Sequence, residues 1–137
     1  MSAGKAFFDT NVLLYMYGAD AAKRERAQGL FRSHAHSGSL LISTQVVQEF
    51  FAAGSRKLRI PSADLRTLVS ALLRLPLVVI DRPQIEMAIS KETEHGISFW
   101  DSLIIAAADS GGAEVLYTED LNHGQRYGTV LAQNPFR

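Results

Sequence analysis

The sequence predicts an α/β protein, a three-layer α/β/α sandwich around a central, mainly parallel sheet. Three observations carry that prediction. Short apolar runs alternate with longer stretches of helical character. Most of the runs are continuously apolar, as strands buried on both faces of a parallel sheet are. Glycines, prolines and capping residues punctuate the boundaries between them. The length, 137 residues, is that of one ordinary domain, and a 47% hydrophobic content provides a core. No internal repeat, low-complexity run or linker divides the chain, so residues 1–137 are expected to form a single domain.

The first strand is expected over Lys5 to Asp9, where an apolar run ends on a carboxylate. A helix follows from about Val12 to Ala35, broken near Gly18 and stopped before Gly38. Leu40 to Ser43 is the second strand, and Gln45 to Leu58 the next helix. Phe50, Phe51 and Leu58 give that helix more large apolar residues than one stripe requires, which predicts burial against a partner as well as in the core. Pro61 then opens a helix reaching Arg74, with Ser62 as its N-cap. Leu77 to Ile80 reads as a strand. Pro83 suits the first turn of a helix that stops before Gly96. The last helix spans Phe99 to Ser110, with Gly111 and Gly112 as its stop signal. Ala113 to Thr118 is a further strand, and Gly128 to Leu131 a weaker one.

Composition narrows the function. No stretch approaches the ~18 apolar residues a membrane span needs, and MSAGKAFFDT lacks the apolar core of a signal peptide. Without cysteine there is no disulfide framework and no thiolate metal site. A cytoplasmic protein is the expectation. Fourteen basic and fourteen acidic residues cancel, which argues against a dedicated nucleic-acid binder. Neutrality in sum hides separation, however: Lys23, Arg24 and Arg26 cluster, as do Arg56, Lys57 and Arg59. If several acids gather in one site, the remaining surface is net basic.

Four acids stand out, each with an ordinary alternative. Asp9 ends a strand, where Asp, Thr and Asn all serve as helix caps. Asp101 shares a helix face with Ile104, Ile105 and Ala108, a surface on which a carboxylate must be paired, capped or bound to a metal. A capping box with Ser98 is its ordinary role. Glu49 lies beside Gln45, Ala52 and Ala53, off the centre of its helix's apolar stripe, as a surface glutamate does. Asp120 follows a buried strand in LYTEDLNHG, where turn chemistry explains it and Glu119 competes for any functional role. Taken together they are harder to dismiss. Acids at strand ends and on helices packed against the sheet converge at the carboxyl edge, where open α/β sheets bind ligands. Gathered carboxylates repel one another, and a hard divalent cation such as Mg²⁺ or Mn²⁺ relieves that. Metal-assisted phosphodiester hydrolysis is the reaction class that follows. No nucleophile elbow, HExxH spacing or phosphate-cradling Gly-rich loop competes.

FFDTNVLLY, Glu49 in TQVVQEFF, ISFWDSLIIAAA and LYTEDLNHG, in that order and spacing, resemble the acidic motifs of PIN domains. The ending LNHGQRYGTVLAQNPF resembles bacterial VapC-type toxins of toxin–antitoxin pairs. The resemblance covers nearly the whole chain. It implies a Mg²⁺- or Mn²⁺-dependent endoribonuclease with Asp9, Glu49, Asp101 and Asp120 as acidic quartet, supported by Asn11, Ser98 and Thr118. It also implies an RNA substrate, a cognate antitoxin that covers the cleft, and a homodimer. The alternative is a non-catalytic PIN-like module that binds RNA or protein.

Overall fold

The computed structural model describes residues 4–137. The elements run β1 (Lys5–Phe8), α1 (Thr10–Tyr15), α2 (Ala21–Ser37), β2 (Leu40–Ser43), α3 (Thr44–Arg56), α4 (Ser62–Leu72) and β3 (Leu77–Val78). They continue with α5 (Arg82–His95), α6 (Phe99–Ser110), β4 (Ala113–Tyr117), β5 (Arg126–Tyr127) and β6 (Val130–Gln133). The six strands form one sheet in the order β3-β2-β1-β4-β6-β5, parallel except for the β5–β6 pair. Helices on both faces make it the predicted α/β/α sandwich.

The central strands are apolar because both faces are covered. Phe7, Phe8, Ile42 and Leu116 are all fully enclosed. α6 is buried through seven consecutive residues, Ser102 to Ala108: Ile104, Ile105, Ala107 and Ala108 join the core of the sheet, while Leu103 and Ala106 pack with Ala88 of α5. Strand order rises from β1 to β3 on one side and passes to β4 on the other, so the switch point lies between β1 and β4. The carboxyl ends of those two neighbours therefore open the crevice in which such sheets bind ligands.

Local chemistry accounts for the boundaries and for three departures from expectation. The break near Gly18 is real, and Asp20 caps α2 by accepting from Lys23 N–H at 3.1 Å. Gly38 and Gly96 end α2 and α5 in the left-handed conformation that only glycine adopts without strain. Ser62 is not the N-cap of α4: Pro61 holds that place without a side-chain bond, and Ser62 is the first helical residue. The weak strand at 128–131 proves to be a hairpin, in which Gly128 turns at φ 67° between β5 and β6. The large apolar residues in and just after α3, which ends at Arg56 rather than Leu58, also divide unequally. Phe50 is wholly core, Leu58 is half-buried, and Phe51 alone stands open at 50% exposure.

Candidate active site

Asp9 follows β1 directly and is 5% exposed. It is itself the N-cap of α1, so of the three capping residues in the Asp9-Thr10-Asn11 run it is Asp9 that caps, not Thr10 or Asn11. Its Oδ1 accepts from the Thr10 N–H at 2.7 Å. Its Oδ2 accepts from the Thr118 hydroxyl at 2.7 Å and, more distantly, from Asn11 Nδ2 at 3.5 Å. Capping and facing the cleft are thus one arrangement, with one oxygen for each. Burial pushes the Asp9 carboxyl up to about 7 against these donors, and the nearby Asp120 and Glu49 charges push the same way.

Asn11 joins the ends of β1 and β4. Its Nδ2 donates to Asp120 Oδ2 at 2.9 Å and lies 3.4 Å from the Thr118 hydroxyl. Its Oδ1 accepts from the Glu119 N–H at 3.4 Å. Thr118 is fully buried, and its hydroxyl also accepts from the Asp120 N–H at 3.1 Å. Thr118 and Asn11 thereby hold Asp9 and Asp120 side by side. Glu119 turns elsewhere, both oxygens accepting from the Tyr15 hydroxyl at 3.0 and 3.1 Å. It lines a neighbouring hollow of about 350 Å³ with Leu14, Gly18 and Leu58.

Glu49 and Asp101 close the cleft from the helices. Glu49 is exposed on α3, and its Oε1 accepts from the Thr10 hydroxyl at 2.7 Å. Asp101 lies in the first turn of α6, where the Ser98 hydroxyl caps the helix by accepting the Asp101 N–H at 3.1 Å. Only that half of the expected capping box forms, which leaves the Asp101 carboxylate to the cleft. Burial raises the Asp101 carboxyl, the Ser98 hydroxyl partly offsets this, and Asp120 adds to the rise. All four acids line one cleft of about 230 Å³, with Thr10, Asn11, Gln45, Lys57, Trp100 and Ile104 among the remaining walls. Sequence reasoning gave no site role to Thr10, Gln45 or Trp100. Gln45 was readable, since it stands one turn before Glu49 on the same face of α3.

Among the described residues, no three acidic or histidine side chains stand close enough to form a ready-made metal cage. Neutral donors stand among the carboxylates instead: the Thr10 hydroxyl holds Glu49, while Asn11 and Thr118 bridge Asp9 and Asp120. The donor set nonetheless suits a hard divalent cation, because Mg²⁺ keeps several waters and takes only one or two carboxylates directly. Asp9 and Asp101, the two acids raised by burial, gain most from a bound positive charge.

A family profile describing the PIN domain matches residues 6–128. The chain belongs to the PIN domain family. Three solved structures share its fold. The DNA-bound VapBC of Salmonella typhimurium aligns over 97% of this chain and 99% of its own at 18% identity, with a TM-score of 0.72. A toxin–antitoxin complex from Klebsiella pneumoniae aligns over 96% and 98% at 20% identity, with a TM-score of 0.71. The Mycobacterium tuberculosis toxin VapC20, which cleaves the sarcin–ricin loop, aligns over 85% and 90% at 20% identity, with a TM-score of 0.67. No curated protein gave a significant sequence match.

Proposed function

We propose that this chain, as one PIN domain over residues 1–137, is a Mg²⁺- or Mn²⁺-dependent endoribonuclease and the toxin of a toxin–antitoxin pair in the cytoplasm. The observation that carries the reading is the convergence of Asp9, Glu49, Asp101 and Asp120 on one cleft at the carboxyl ends of β1 and β4. A bound divalent ion would supply an activated water and offset charge on the leaving oxygen. The chain's own residues do the rest. Asp9 and Asp101 would hold the ion, and Thr10, Thr118 and Asn11 keep the carboxylates aimed before substrate arrives. Glu49, more open to solvent, accepts the proton of the attacking water through the oxygen that Thr10 leaves free. Lys57 on the rim offers a cation to the phosphate.

The antitoxin and homodimer belong to the same proposal. Support for the antitoxin comes from the fold shared with the Klebsiella and Salmonella proteins, solved in toxin–antitoxin and VapBC assemblies, while the homodimer is what the family resemblance implies. Purified protein is expected to cleave RNA with Mg²⁺ or Mn²⁺ and to stop on adding EDTA. Asp101→Asn should lower the rate by on the order of a hundredfold or more with the fold intact. Undiminished cleavage by that variant would falsify its assignment. A non-catalytic RNA- or protein-binding module is the second reading, favoured by the separation of the acids. Calorimetry decides between them: a module of that kind takes up no divalent ion and cleaves nothing.

A further inference from the structure

We infer that Trp100 is a stacking platform for a nucleobase of single-stranded RNA whose backbone crosses the acid cleft. The inference rests on the ribonuclease reading and deepens it. Trp100 is the second residue of α6 and, at 63%, the most exposed large apolar side chain among the described residues. Its support is firm on one side: the indole packs edge-to-face on Phe99, with centroids 5.1 Å apart at 77°, and its backbone carbonyl accepts from Gln45 Nε2 at 3.3 Å. The backbone is anchored while most of the indole stands in solvent.

Its place gives the exposure meaning. Trp100 lines the acid cleft and also an adjoining hollow of about 290 Å³ walled by Gln48, Ile80, Ile85, Phe99 and Leu103. Trp100 and the four acids line the same cleft, so a base on the ring and a phosphate over a cation held by the acids would belong to one short stretch of strand. Lys57 also lines the cleft, contributed by the far end of α3. Aromatic, carboxylates and cation then serve base, reacting phosphate and flanking phosphate in turn. An exposed indole stacks on any base, because every base has a π-face. A protein seated on Trp100 is the competing occupant. Lys57 on the same cleft favours a polyanion that carries flat rings.

Trp100 is the chain's single tryptophan, so its fluorescence reports this contact directly. In EDTA, to prevent cleavage, a short single-stranded RNA is expected to quench it, and an abasic ribose-phosphate strand of equal length is not. Trp100→Leu should weaken RNA binding by about tenfold, and Trp100→Tyr should restore most of it. In turnover with metal, Trp100→Leu should raise KM more than it lowers kcat. Equal quenching by the abasic strand overturns the platform. So does unchanged RNA affinity in Trp100→Leu while cleavage persists, or a fluorescence change that follows protein concentration without RNA and blocks RNA binding. If the wild-type protein neither binds nor cleaves any RNA, the ribonuclease reading falls and takes the platform with it.

Discussion

Asp9 serves two ends that oppose each other energetically. Its donors hold it in one orientation, yet burial makes its charged form costly in the absence of a cation. The consequence for pH follows from the raised value. The native carboxyl titrates at about 7 and the unfolded one at 3.8, so between them the native state holds a proton that the unfolded chain releases. The contribution of Asp9 to metal-free stability is therefore complete below pH 3.8 and is lost as pH rises through about 7. Asp9→Asn removes the charge that causes the loss. In EDTA at pH 8 the variant should be more stable than wild type by roughly 1–2 kcal/mol, read as a higher melting temperature. Adding Mg²⁺ or Mn²⁺ should reverse the order, since only wild type gains the ion. A variant that melts below wild type in EDTA would show that the lost acceptor outweighs the relieved charge.

At the scale of elements, α6 presents Asp101 at one end because its other end fits closely on the sheet. Gly111 caps it against β2 and β3: a Cβ there would collide with Leu41 Cδ2 and stand 2.8 Å from Val78 Cγ2. Both neighbours are buried and have nowhere to retreat. Gly111→Ala should therefore destabilise by about 1–3 kcal/mol through overpacking, measured by urea unfolding. A stability equal to wild type would mean that the helix end shifts freely. The same element explains what the sequence made legible. Helix ends were readable because their signals are local: Ser98, Gly96, Gly111 and Pro83 act within a few residues of themselves. The hairpin of β5 and β6 was blurred into one strand because β5 has only two residues, too few to show a period. Asp9's double role was hidden for the opposite reason. It depends on a hydroxyl at Thr118, 109 residues away, and no local pattern encodes that bond.

Across the whole molecule, a net charge of zero conceals a division of labour. Four of the fourteen acids and one of the fourteen bases, Lys57, line one cleft, leaving ten acids against thirteen bases over the rest of the chain. A divalent ion would further offset the negative cleft, so a polyanion would meet a cationic surface with its reacting phosphate neutralised locally. The basic cluster at Arg56, Lys57 and Arg59 sits where α3 ends, and Lys57 reaches both the acid cleft and the hollow beside Glu119. Affinity for single-stranded RNA should therefore fall as salt rises, with Lys57 among the residues that release counterions. Lys57→Ala should flatten the slope of log K against log salt by about 0.7, the share of one phosphate contact on a single strand. The loss should be similar for RNAs of different sequence, because a phosphate contact positions the chain without reading bases. An unchanged slope would remove Lys57 from the path of the RNA and leave the substrate's course set by Trp100 and the acids alone.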